Sequence, residues 1–262
     1  MDTTTLTRQR EKPKRTRTRT RRLAAALAVL PLAAACGGHD ADARALPADA
    51  PPELSAAAHL VITTDNGVRL RPSDDDQVVT DRHVHADWSH RDGTWVLDLS
   101  CADGDFGRAC PRMPEVDVPE GASVSVSARN AGIDVAGVPG ALDLTTVNGD
   151  VTVTHSGERT GRARLVTRNG SVRVGELRAA RLHAETVNGD VDLGCATSPA
   201  SVTGSTTNGS VRVTVPHDSP AYRVTARTDN GSPSTRLPTA GADDDHSMRL
   251  TTVNGDVAAA RE

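Results

Sequence analysis

The residues of this 262-residue chain with the most distinctive chemistry are four cysteines and nine histidines, and their surroundings give them different jobs. Cys36 ends the run Leu23 to Ala35, LAAALAVLPLAAA, thirteen apolar residues behind a head with nine basic and two acidic side chains. A basic head, a short apolar stretch and small residues before a cut site make a secretory signal. Thirteen residues interrupted by Pro31 are too few for a bilayer span, which needs about 20. Cys101 and Cys110 enclose eight residues, ADGDFGRA. In the oxidising compartment such a signal implies, a disulfide pinning a loop is favoured over metal binding, which would want more thiolates or histidines close by. Cys195 is left over, in phase with Val191 and Leu193, as an inert core thiol would be.

His83, His85 and His90 form H-V-H-x4-H, and on a strand His83 and His85 would face one side, a pair suited to zinc or copper. No third ligand is fixed by spacing, so the expectation is an exposed polar strand, no metal and no cofactor. Asp74 to Asp76 and Asp243 to Asp245 read as solvated acidic turns, since a calcium loop spaces its ligands around a glycine bend. No Ser/His/Asp set, H-E-x-x-H or phosphate loop is present, and no lysine follows Lys14. The chain is therefore read as a non-enzyme with no catalytic residues.

These residues must be held by a frame of unusual composition. Hydrophobic residues make up 37% and aromatics only 2%, with Trp88, Trp95, Phe106 and Tyr222 the whole aromatic set. Such a chain can fill only a thin interior lined by Val and Leu, and it lacks the platforms on which single-stranded nucleic acid stacks. The net charge of −4 hides an asymmetry: beyond Cys36, 21 arginines face 32 acidic residues. That balance excludes nucleic acid as a partner. Residues 1–35 read as signal peptide and 36–58 as an Ala/Pro/Asp-rich spacer carrying a lipid on Cys36; 59–262 is the folded domain.

A repeat decides the fold. Thr-x-Asn-Gly recurs with its turn pair at Asn66-Gly67, Asn148-Gly149, Asn169-Gly170, Asn188-Gly189, Asn208-Gly209, Asn230-Gly231 and Asn254-Gly255, and a degraded copy lies at Asn130. From Asn130 onward the asparagines stand 18, 21, 19, 20, 22 and 24 residues apart. A period near 20 marks a solenoid, whose coils bury their apolar faces on one another. Around each turn the residues alternate: Leu142, Leu144, Thr146 and Asn148 share one parity, and Val151 and Val153 follow in phase. The expectation is an all-β, single-stranded parallel β-helix with inward Thr and Asn ladders, stacked in chain order so that Asn254 lies at the open end. Inward threonines exclude a flat ice-binding Thr face. Because Asn-Gly is also the strongest hairpin signal, an antiparallel β-meander is the alternative. The residues after the glycines, Asp150, Ser171, Asp190, Ser210, Ser232 and Asp256, keep aspartates out of adjacent coils.

Leu32 to Gly38, LAAACGG, resembles a bacterial lipoprotein lipobox, with Ala33 where Leu is usual; this implies a diacylglycerol on Cys36. The run Val118 to Val126, the segment Leu142 to Val151 and the terminal Arg249 to Val257, RLTTVNGDV, resemble the bacterial putative-adhesin family of β-strand repeats over roughly His59 to Val257. That resemblance implies a right-handed parallel β-helix displayed at the cell envelope, with no assigned biochemical function. The resulting expectation is a membrane-anchored, extracytoplasmic lipoprotein acting as a structural or interaction module on an unidentified envelope protein or glycan. The alternative is a β-helix that binds or cleaves envelope polysaccharide.

Overall fold

The computed structural model describes residues 54, 58–75, 77–81, 84–100, 111–238 and 245–262. Alternating apolar and polar side chains make twenty strands, and the described residues contain no helix. Ten strands form one sheet, in spatial order Arg223–Asn230, Ser247–Asn254, Ser201–Ser205, Arg181–Glu185, Arg162–Val166, Leu142–Thr145, Ser123–Ser127, His59–Thr64, Thr94–Ser100 and His85–Arg91. Ten more form the second: Pro233–Arg236, Val257–Arg261, Val211–Val215, Val191–Cys195, Val172–Leu177, Val151–Thr154, Ile133–Ala136, Val68–Ser73, Glu115–Pro119 and Val79–Thr80. Along each repeat the chain leaves the first sheet, turns through Thr-x-Asn-Gly and enters the second.

The antiparallel meander is overturned. Neighbouring repeats pair in parallel, with Val151 opposite Val172, Val172 opposite Val191 and Val191 opposite Val211. Stacking of like on like is what this register achieves at the core and corners: each apolar row continues through the sheet, and the corner asparagines meet identical groups one strand away. Among the described residues antiparallel pairing is confined to two places, His85–Arg91 with Thr94–Ser100 and Val79–Thr80 with Glu115–Pro119. The first is a hairpin closed by Asp92 (φ 52°) and Gly93 (φ 76°), the two left-handed residues a tight I′ turn demands.

Stacking in chain order is also corrected. The C-terminal strands Ser247–Asn254 and Val257–Arg261 lie between the repeat at 201–215 and the repeat at 223–236, which forms the outer layer. At the other end His59–Thr64 and Val68–Ser73 are likewise interior, flanked by Ser123–Ser127 and Ile133–Ala136 on one side and by Thr94–Ser100 and Glu115–Pro119 on the other. Asn254 therefore sits inside the stack and Asn230 at its end.

The core is the thin Val/Leu interior that the composition requires. Val151, Val172, Val191, Val211 and Val257 form one buried row, and Leu144, Leu165, Ala184, Gly204 and Leu250 face them from the other sheet. Full burial of each Val or Leu is worth about 1.5–3 kcal/mol against exposure. Gly204 is the narrow point: a Cβ there would stand 2.9 Å from Val211 Cγ1 and 3.3 Å from Leu250 Cδ2. Those two side chains already occupy the space. At the hairpin end Trp88 and Trp95 pack edge to face, 6.4 Å between centroids, against the core.

Candidate interaction surface

Each Thr-x-Asn-Gly turn is a corner between the sheets, and the two polar residues divide the work. The threonine is buried, with Thr146, Thr167 and Thr186 each 2% exposed. Its hydroxyl donates to the glycine carbonyl of an adjoining repeat: Thr167 to Gly149, Thr186 to Gly170, Thr206 to Gly189 and Thr252 to Gly209, all at 2.8 Å. The glycine is needed because repeats meet backbone to backbone here; a Cβ on Gly189 would overlap the carbonyl of Gly170. Gly189 also takes φ 150°, which side chains disfavour.

The asparagine ladder exists, but it faces water. Asn169 donates its amide to Asn148 Oδ1 at 2.9 Å, Asn188 to Asn169 at 2.9 Å, and Asn208 to Asn188 at 2.8 Å. It continues through Asn254 to Asn208 at 2.8 Å and ends with Asn230 to Asn254 at 2.9 Å. All six are exposed, which corrects the inward placement expected from parity. Period-two alternation stops at the buried threonine, because the backbone turns the corner there. Val147, Val187 and Val253 consequently point out as well.

Beside this ladder runs a second one. In spatial order it reads Asp150, Ser171, Asp190, Ser210, Asp256, Ser232, a strict alternation that the chain order of the last two repeats breaks. The Ser171 amide donates to Asp150 Oδ1 at 2.7 Å, that of Ser210 to Asp190 at 2.8 Å, and that of Ser232 to Asp256 at 2.9 Å. Partial burial pushes the Asp150 carboxyl upward. The Ser171 amide and the Arg173 guanidinium outweigh this and hold it below the usual carboxylate range.

A groove of about 640 Å³ opens where His59–Thr64 leads into its corner, lined among others by Thr63, Asp65, Asn66, Asp98, Ser127 and Arg129. Arg129 Nε lies 3.3 Å from Asp65 Oδ1. Hydroxyls, an amide and a carboxylate–guanidinium pair are the groups that hydrogen-bond a hydroxyl-rich ligand.

Of the residues singled out in the sequence, Cys36, Asp76, His83, Cys101, Phe106, Cys110, Asp243 and Asp244 lie outside the described residues. His85 Nε2 is 3.2 Å from Asp87 Oδ1, and His90 lies against Trp95 with centroids 4.3 Å apart. His85 and His90 stand an odd number of residues apart on one strand and so face opposite sides. No group of three metal-ligating side chains occurs among the described residues. Cys195 is a buried free thiol, and desolvation pushes it up to about 12. Sequence reasoning missed the hairpin at Asp92-Gly93, although Asp-Gly between strand-like runs is its signal.

The profile of the Toastrack DUF4097 family matches residues 122–259. No curated protein matches the sequence. Among solved structures, a putative cell adhesion protein from Clostridium sporogenes is similar at a TM-score of 0.40 and 9% identity, over 81% of this chain and 96% of that one. The adhesin-like resemblance read from the strand repeats thus falls on a defined family across more than half the sequence: the chain belongs to the Toastrack family, DUF4097.

Proposed function

We propose that the chain is a lipoprotein tethered through Cys36 to the extracytoplasmic face of the cell membrane, whose β-solenoid is a non-catalytic structural or interaction module of the adhesin-like kind. The observation that carries this reading is the register-locked parallel stack. Its corners repeat the same exposed asparagine amide from strand to strand, beside an alternating row of aspartate and serine, as a surface for extended partners would. We take the winding as right-handed, since crossovers between parallel strands are right-handed in about 98% of cases. We take the coil as about 20 residues long. The test is metabolic labelling with a fatty-acid analogue followed by fractionation. The wild-type protein should carry the label and sediment with membranes; Cys36→Ser should lose the label and either appear in the medium or stall before maturation. An unlabelled wild-type protein that stays in the membrane and still begins at Met1 would sink the anchor.

The groove around Asp65, Asp98 and Arg129 favours a second reading, a β-helix that binds or cleaves envelope polysaccharide. Release of reducing sugar from cell-wall or capsular polymer separates cleavage from the module, which releases none.

A further inference from the structure

One corner of this acidic domain is crowded with arginine. The segments Gly157 to Arg164, GERTGRAR, and Arg178 to Arg181, RAAR, lie side by side: Gly157 bridges Arg178, and the amides of Ala180 and Arg181 both donate to the Gly161 carbonyl, at 2.9 and 3.3 Å. The register sets Arg162 directly opposite Arg181 on neighbouring strands. Both side chains are exposed on the outer face. Neighbouring strands are about 4.8 Å apart, and like charges placed so are destabilising.

Several other outer-face arginines are compensated. Arg164 pairs with Asp143 at 3.2 Å, Arg69 with Asp134 at 3.6 Å, and Arg173 with Asp150. Asp192 stands in register between Arg173 and Arg212. Arg162 and Arg181 make no side-chain hydrogen bond or ion pair among the described residues. They line a groove of about 490 Å³ together with His59, Ser125, Asp143 and Arg164, and the one carboxylate in that set is already taken by Arg164. The row continues in register from Arg181 to Ser201 and Ser247.

A guanidinium pairs best with a planar oxyanion through two parallel hydrogen bonds. Two of them side by side, uncompensated and flanked by hydroxyls, suit successive charges of one polymer better than a single small anion. We propose that this groove binds an acidic polysaccharide, with Arg162 and Arg181 each taking a carboxylate or phosphate oxygen of neighbouring sugars and Ser125 and Thr160, which line the same groove, meeting its hydroxyls. A nucleic-acid strand fits less well, since none of Trp88, Trp95 and Tyr222 lines the groove to stack a base. The proposal deepens, and rests on, the reading of the domain as an interaction module.

The experiment is arginine footprinting of the full chain with phenylglyoxal, read by mass spectrometry residue by residue. The probes are polygalacturonate, polyphosphate, neutral dextran and single-stranded DNA of matched charge. Polygalacturonate should slow modification of Arg162 and Arg181 at least about tenfold, the scale of one charge-assisted hydrogen bond at each, and leave Arg212 and Arg249 unchanged. Polyphosphate protecting in its place would assign the charged group as phosphate. Dextran should not protect.

Arg181→Glu turns a like-charge pair into an opposite one, so it should abolish protection of Arg162 while raising the thermal midpoint by about 1–3 °C. Arg162→Gln/Arg181→Gln should lose retention of polygalacturonate without unfolding. Protection confined to the basic head, spread evenly over all arginines, or as strong with DNA would overturn the proposal. So would a lowered midpoint for Arg181→Glu. If envelope polymer is still retained by the Arg162→Gln/Arg181→Gln variant, the groove assignment fails and the interaction module stands. If no envelope polymer or protein is retained by the wild type, the module reading itself fails.

Discussion

Thr186→Val is the sharpest test of what holds the repeats together. The two side chains have nearly the same shape, so the substitution leaves no cavity. It removes one hydroxyl, the donor that reaches the Gly170 carbonyl at 2.8 Å from a site only 2% exposed. A buried acceptor stripped of its donor costs about 1–3 kcal/mol. For a domain of this size each kcal/mol lowers the midpoint by roughly 2–4 °C, so the expected fall is about 2–12 °C. Calorimetry of four proteins isolates the effect. Thr186→Ser keeps the donor and gives up one buried methyl, about 1 kcal/mol. Thr228→Val removes the equivalent bond to Gly255 in the outer layer, where water can replace it, and should cost under about 0.5 kcal/mol. Thr146→Val combined with Thr206→Val, three strands apart, should show additive losses. Equal midpoints for Thr186→Val and Thr228→Val would refute a buried hydroxyl ladder.

In the exposed asparagine ladder, Asn188→Asp and Asn254→Asp should destabilise by similar amounts, about 0.5–1.5 kcal/mol, because each replaces a donor between two neighbours. Asn230→Asp, with one neighbour, should cost less; urea midpoints for the three would show it. Asp117 is pushed above the usual carboxylate range by burial and by Glu115, against Arg71. Its native form therefore holds a proton more tightly than the unfolded chain, and stability falls as pH rises through the raised value. Asp117→Asn should accordingly be more stable than wild type at pH 7, with the gain gone below about pH 4, the ordinary carboxylate range. Asp150 has the opposite sign: its stabilisation holds above the ordinary value and is lost as pH falls through the depressed one, so Asp150→Asn should flatten acid unfolding. Cys195, raised to about 12, should resist maleimide at pH 8 in the native protein and react fully in denaturant.

The parallel stack was legible because a solenoid writes its period into its corners: six Thr-x-Asn-Gly copies from Asn148 to Asn254, near 20 residues apart, leave little else that the chain can do. Which face each corner residue takes was less so. Strand parity carried Asn148 inward with Leu142 and Leu144, whereas the chain bends just after Thr146 and parity loses its meaning there. The order of the layers was hidden for a different reason, since every repeat can dock on every other. One trace of it was written in the sequence. Ser210 followed by Ser232 and then Asp256 breaks an alternation that placing the last repeat between the two restores. The arginine groove depends on Arg162 meeting Arg181 across a strand pair, a coincidence of register that spacing alone does not announce.

Because the layers at both ends are out of chain order, neither the first strand, His59–Thr64, nor the last, Val257–Arg261, is an outermost one. A pull on residue 262 acts on a layer gripped on both sides, by Val211–Val215 and by Pro233–Arg236, so two rows of backbone bonds must shear together before the end comes free. The same holds at His59, which enters between Thr94–Ser100 and Ser123–Ser127. Such a molecule cannot unzip strand by strand from its tips. Its resistance to traction is set by topology before any single side chain is counted.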